Sequence, residues 1–130
     1  MKKKTRPDFL SDRIKSFFNA SRGLRDILST EHNAWVHAAF TVGVLFLSWW
    51  LRISADEFVL IMIFVCLVWI AEAFNTVLEL VIDIVSPQYS CSARRAKDMA
   101  AAAVLFASLG AFIAGMILLG PPLLLRLGLF

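Results

Sequence analysis

The segment Glu72-Ala73-Phe74-Asn75-Thr76-Val77-Leu78-Glu79-Leu80-Val81-Ile82-Asp83 decides how this chain folds. It continues an apolar run from Phe58 to Ala71, then abruptly carries three carboxylates and a carboxamide. In a helix each residue advances by about 100°. Relative to Glu72, Asn75 then falls near about −60°, Thr76 near about +40°, Glu79 near about −20° and Asp83 near about +20°. These five share one face, and Ala73, Phe74, Val77, Leu78, Val81 and Ile82 cover the rest. A carboxylate facing lipid costs about 2.5–3.5 kcal/mol or more, so such groups turn inward and mark functional sites. The stripe is therefore the first place to look for chemistry.

The rest of the chain sets the medium. Of its 130 residues, 59% are hydrophobic, and the mean hydropathy is +0.74. That exceeds the roughly 45–50% apolar content of ordinary soluble domains. One domain, residues 1–130, is expected: an all-α integral membrane protein with three transmembrane helices and an N-terminal amphipathic surface helix. Three helices are too few to enclose a deep site, so an oligomer that completes it is expected. The net charge of +3 and pI near 9.2 call for no nucleic-acid partner. Eight of the thirteen Lys and Arg lie in residues 1–25, and Arg94, Arg95 and Lys97 lie between the second and third spans. This is the positive-inside pattern for a cytoplasmic N-terminus and second loop. No cleavable hydrophobic region follows directly on Lys2-Lys3-Lys4, so no signal peptide is expected. Cys66 belongs mid-membrane and Cys91 in the second loop; neither has metal-type spacing or a partner in reach.

In chain order, residues 1–7 read as a basic tail drawn to anionic headgroups. From residue 8 to residue 28, Phe9, Leu10, Ile14, Phe17, Phe18, Leu24, Ile27 and Leu28 gather within about half a helical turn, opposite Lys15, Arg22 and Asp26. This is the surface helix, functional or a mere anchor. Ser29-Thr30-Glu31 reads as a turn, with Thr30 a candidate N-cap. The first span covers residues 34–51, with Trp35 and Trp49-Trp50 as aromatic belts at its ends. His37, one turn inside, reads as a packing or hydrogen-bonding histidine rather than a ligand. Residues 52–57 form an external turn, and the second span covers 58–85. At about 1.5 Å per residue, Glu72 lies about 21 Å and Glu79 about 31 Å from the outer boundary. Against about 30 Å of hydrocarbon, Glu72 sits in the cytoplasmic leaflet, Glu79 at the surface and Asp83 beyond it. Ser86-Pro87 ends this helix. Ser92 is a candidate cap for a helix running into the third span, 99–120. There Ala103, Ala107, Ala111 and Gly115 form a ladder of small residues suited to close packing. Pro121-Pro122 should stop it, leaving a short apolar tail.

The sequence holds no Walker A motif, no kinase glycine loop, no zinc-type grouping and no workable Ser–His–Asp set. The usable groups are Glu31, Glu72, Asn75, Glu79, Asp83, Lys97 and Asp98, all but Glu72 and Asn75 at the cytoplasmic boundary. Carboxylates at that density, beside a lysine, suit a Mg²⁺-bound polyphosphate. A carboxylate one or two turns deeper meets the headgroup of a lipid alcohol and can accept its proton. The pieces suggest phosphoryl transfer from a soluble nucleotide to a membrane lipid.

The stretch from Glu72 to Glu79, followed by Asp83 and by Ala96-Lys97-Asp98-Met99-Ala100-Ala101, resembles the signature of the prokaryotic diacylglycerol kinase/undecaprenol kinase family. Ser16-Phe17-Phe18-Asn19-Ala20-Ser21-Arg22-Gly23 and Glu31-His32-Asn33 resemble it too, at the right separations. The similarity covers about residues 13–118. The resemblance implies a homotrimer in a bacterial inner membrane with active sites shared between neighbours. ATP is the implied co-substrate, Mg²⁺ the cofactor, and phosphatidic acid or undecaprenyl phosphate the product. It implies that Glu72 is the general base, with Asn75 beside it at the lipid substrate. Glu31 and Glu79 would hold metal that bridges the ATP phosphates. Lys97 and Asp98 would contact nucleotide, with Gln88, Tyr89 and Ser90 close by. Asn19 stands where the family commonly has an aromatic and Trp35 where it commonly has an arginine, both near the substrate entrance. Glu31-His32-Asn33, His37 and Ser86-Pro87 look closer to the undecaprenol kinase branch. Diacylglycerol and undecaprenol both stay open as substrates. Two rivals stand beside the kinase: a polar seam that merely fixes an oligomer, and a proton- or cation-coupled transporter using Glu72. Coupling sites favour the bilayer midplane, whereas these acids crowd one boundary.

Overall fold

The structure is a computed structural model that describes residues 9–129, with Phe9 and Leu10 described in backbone only. The basic tail, Asp8, the side chains of Phe9 and Leu10, and Phe130 lie outside the described residues. Four helices follow in order: α1 (Phe9–Thr30), α2 (His32–Leu51), α3 (Ala55–Val85) and α4 (Cys91–Arg126). The last three are long and apolar enough to cross a membrane. Short connections make neighbours antiparallel, so the end of α3 and the starts of α2 and α4 share one end of the bundle. That end carries the acidic stripe.

Local chemistry explains most helix boundaries, and several differ from expectation. Thr30 is not the cap of α2; it is the last residue of α1, and its hydroxyl donates to the Asp26 carbonyl at 2.9 Å. The turn shrinks to Glu31, extended at φ −98° and ψ 116°, whose side chain makes no capping bond. Ser90, not Ser92, caps α4: its backbone is extended and its Oγ accepts the Ala93 N–H at 3.2 Å. The third difference is that α4 runs through Pro121 and Pro122 to Arg126. Proline removes backbone bonds, yet its fixed φ is helical, and Gly120 ahead of the pair has no Cβ to crowd. Packing holds the last turns. Leu118 and Leu123 rest on a buried cluster of Leu51, Ile61 and Leu119, and the Arg126 guanidinium lies 5.2 Å from the Trp50 ring centre.

Helix α2 ends at Arg52, which adopts the left-handed conformation at φ 54° and ψ 46°. The N–H of Ile53 reaches the Ser48 carbonyl and that of Arg52 the Trp49 carbonyl, closing the helix in Schellman fashion. Two residues later Ser54 and Glu57 form a capping box. Glu57 Oε2 accepts from the Ser54 N–H at 2.8 Å, and Ser54 Oγ accepts from the Glu57 N–H at 3.3 Å. Helix α3 thus begins three residues before Phe58. As expected, it ends where Ser86 meets Pro87.

Helices α3 and α4 form the main packed pair, and α2 touches both. Gly110 faces Phe64, whereas a side chain at Gly115 would meet nothing within 4 Å, and Ala103 is exposed. The small-residue ladder therefore only edges the contact, whose buried centre on α4 is Ala100 and Val104. Helix α1 reaches the bundle through α2. Its Ile14, Phe17, Phe18 and Leu24 are at least half exposed, so the chain does not cover its apolar face. Phe40, Phe46, Phe106 and Phe112 likewise point outward. In lipid such faces cost nothing comparable to their cost in water.

Candidate active site

The chain alone buries Glu72 to 1% exposure, without a second subunit. One chain thus encloses this single side chain. Asn75, one turn on, is also buried, and its Nδ2 donates to Glu79 Oε1 at 3.0 Å. Its Oδ1 is buried without a hydrogen-bond partner. Thr76 turns its hydroxyl onto the Glu72 backbone carbonyl at 3.0 Å, away from the carboxylate. The stripe therefore forms the shared face that the 100° turn requires.

Helix α2 supplies a group that the stripe alone does not reveal. His37 Nε2 lies 3.5 Å from Glu72 Oε2, with the His37 side chain only 15% exposed. That is ion-pair range rather than a hydrogen bond, and Nε2 makes no hydrogen bond to any other group. The imidazole meets Trp69 edge-on, at 6.5 Å between ring centres. One turn away, Trp69 Nε1 donates to Thr41 Oγ1 at 3.1 Å. His37 and Thr41 are four apart on α2, and Trp69 and Glu72 three apart on α3, so each pair occupies one helix face. Two polar contacts thus clamp α2 to α3 at the depth of Glu72. His37 is thus a packing histidine against Trp69 that also faces Glu72, a partner whose only sequence signal is a basic side chain one turn inside a span.

Glu31 and Glu79 both lie within electrostatic range of Glu72. Glu31, just ahead of α2, and Glu79, toward the end of α3, thus both act on the Glu72 carboxylate. Among the described residues no three His, Cys, Asp or Glu converge as a ready-made metal cage. Two acids without a cage is the usual arrangement for Mg²⁺, which is held by one or two carboxylates plus water and substrate phosphates. The Glu31 carboxylate, unused in capping, the Glu79 carboxylate and the unpartnered Asn75 Oδ1 are hard oxygen donors. The donor chemistry fits the ion.

The remaining residues singled out in sequence sit further along the same end. Lys97 on α4 pairs with Asp83 on α3, tying the two helices where they emerge. Asp98 is exposed. Gln88 and Tyr89 lie in the α3–α4 loop, Tyr89 81% exposed, and the Gln88 carbonyl accepts from the Ser86 hydroxyl. The Ser90 hydroxyl accepts as the α4 cap. Among the described residues no hydrogen bond or ion pair joins Gln88, Tyr89, Ser90, Lys97 or Asp98 to Glu72, Asn75 or Glu79. Within one chain the acids around Glu72 and the Asp83–Lys97 pair are two separate groups. Cys66 and Cys91 are both free.

The fold and the site define a small helical membrane protein with a buried acid that opens, along one helix face, toward exposed charge at one boundary. The family model for prokaryotic diacylglycerol kinase matches residues 18–119, and the chain belongs to this family of membrane lipid kinases. It is 39% identical over 112 residues to a diacylglycerol kinase of Synechocystis sp., covering 85% of this chain and 64% of that relative. It is 31% identical over 110 residues to the undecaprenol kinase of Bacillus subtilis, covering 85% of this chain and 89% of the relative. A diacylglycerol kinase of Escherichia coli is 41% identical over 93 residues, covering 66% and 76%. The chain thus spans slightly less than two thirds of the cyanobacterial relative and most of the other two.

Proposed function

We propose that the protein transfers the γ-phosphoryl group of ATP to the hydroxyl of a membrane lipid alcohol at the cytoplasmic face of a bacterial inner membrane. Diacylglycerol gives phosphatidic acid, and undecaprenol gives undecaprenyl phosphate. The observation that carries the reading is a carboxylate buried in a span with acids leading from it to the boundary, in a chain whose relatives are named for these two kinase activities.

The two ends of the stripe take different jobs. Glu72 is held in low dielectric beside His37, at headgroup depth. It accepts the proton of the lipid hydroxyl as that oxygen attacks the γ-phosphorus. The new O–P bond forms while the bond from γ-phosphorus to the leaving oxygen of ADP breaks, and the negative charge departs with ADP. His37 keeps the Glu72 carboxylate pointed into the site, and Asn75 Oδ1 offers an acceptor to the incoming hydroxyl. Glu31 and Glu79 are the residues that would hold Mg²⁺, which when bound offsets phosphate charge. Lys97 leaves Asp83, or shares it, to meet nucleotide phosphates; Asp98, Gln88, Tyr89 and Ser90 line the nucleotide's approach. Surface helix α1 lies in the interface, and a homotrimer brings the nucleotide-facing loop of one subunit to the acids of another.

The test is incubation of the purified protein with labelled ATP, Mg²⁺ and a panel of lipid alcohols in detergent. Label should appear in phosphatidic acid or undecaprenyl phosphate, and the faster product names the substrate. Transfer to neither, together with proton- or cation-coupled uptake in vesicles, would replace the kinase with the transporter.

A further inference from the structure

The bundle end opposite the acids holds a cavity of about 770 Å³, formed where the α2–α3 turn meets the last turn of α4. Its charged lining groups are Arg52 and Arg126, with Trp49, Trp50 and Phe58 among its apolar walls. Among the described residues neither arginine is paired with a carboxylate. The nearby acid Glu57 has its carboxylate committed to the Ser54 capping box. Arg126 is fixed by stacking over Trp50, which holds its planar fork without using its N–H donors. Arg52 is the only non-glycine residue with positive φ among the described residues. The left-handed region crowds an L-residue's Cβ against the following carbonyl, so the turn holds an arginine where glycine would be relaxed.

Both cations sit at the level of Trp49 and Trp50, which end the α2 span. Tryptophan at that position marks the headgroup layer. Two guanidinium groups there, open to lipid and lacking a protein anion, match a phosphate oxyanion in charge and in bidentate geometry. The apolar walls match the glycerol and first methylenes below it. The volume lies within the range of about 300–1,000 Å³ typical of small-ligand pockets. We propose that this cavity is a binding site for an anionic phospholipid of the leaflet opposite the acid site, held by its phosphate between Arg52 and Arg126. The site needs nothing from the kinase reading, because it shares no residue with it.

Native mass spectrometry of the full chain in detergent, titrated in parallel with phosphatidylglycerol and phosphatidylcholine, tests the proposal. Wild type should retain phosphatidylglycerol in preference to phosphatidylcholine. Arg126→Gln and Arg52→Gly should each weaken phosphatidylglycerol retention about tenfold, as expected for losing a charge-assisted contact, with phosphatidylcholine unchanged. Arg52→Gly removes the cation while relaxing the turn, so loss of the fold cannot account for its effect. Arg126→Lys, which keeps charge without the fork, should fall between. Equal retention of the two lipids by wild type, or undiminished phosphatidylglycerol retention by both charge-removing variants, would overturn the site.

Discussion

Glu72 is almost wholly buried, yet its carboxylate faces a histidine rather than a lysine or arginine. A permanent cation there would hold the acid as a spent ion pair, whereas an imidazole orients it and leaves it able to take a proton. In the proposed reaction His37 is thus a positioning residue. Replacing it with Ala should lower kcat by about 10²-fold, the scale of a misplaced catalytic group, with little change in the KM for Mg²⁺–ATP. Initial-rate kinetics separate the two, and a change confined to KM would remove His37 from this role. Glu79→Gln should act the other way, raising the Mg²⁺ and ATP concentrations needed for half-maximal rate. Unchanged metal dependence would strike Glu79 from the metal ligands. The shared face of Glu72, Asn75 and Glu79 was legible because helical geometry admits few arrangements of acids in an apolar run. The His37 contact was not, because it depends on how α2 rotates against α3, which no single-helix pattern contains.

At the scale of elements, periodicity and proline placed the spans, and side-chain capping set their ends. Three long apolar runs separated by short polar turns leave little freedom in a membrane, where every backbone group must be paired within its own helix. Ends are less determined. Thr30, Ser90 and Ser92 are all chemically able to cap, and the choice among them depends on which residue the chain leaves extended. Pro121-Pro122 showed the same limit, since packing of Leu118, Leu119 and Leu123 and the stacking of Arg126 outweigh the lost backbone bonds. The Ser54–Glu57 box gives this scale its prediction. Ser54→Ala should destabilise the protein by about 1 kcal/mol, measured by thermal unfolding in detergent, without altering turnover at the far end. A stability change within error would mean that packing alone starts α3.

For the whole molecule, a single chain encloses the buried acid but leaves the Asp83–Lys97 group separate from it and much apolar surface uncovered. Lipid can cover that surface, and in the proposed oligomer a neighbour brings a second charged loop to the acids. On the proposed homotrimer, light scattering of the detergent complex should give a protein mass three times 14.5 kDa. A monomer with full activity would show that one chain gathers both groups by itself. The small number of spans points to an oligomer, but not to which faces would pair, because outward-facing apolar residues look the same against lipid as against another subunit.

The most direct test of the account is turnover of Glu72→Gln, with labelled ATP, Mg²⁺ and the preferred lipid alcohol, in protein checked to keep wild-type helicity and oligomeric mass. The amide keeps the side chain's size and cannot accept the proton, so phosphoryl transfer should fall by about 10²–10⁴-fold. Near-wild-type turnover in that variant would contradict the assignment of Glu72 as the base.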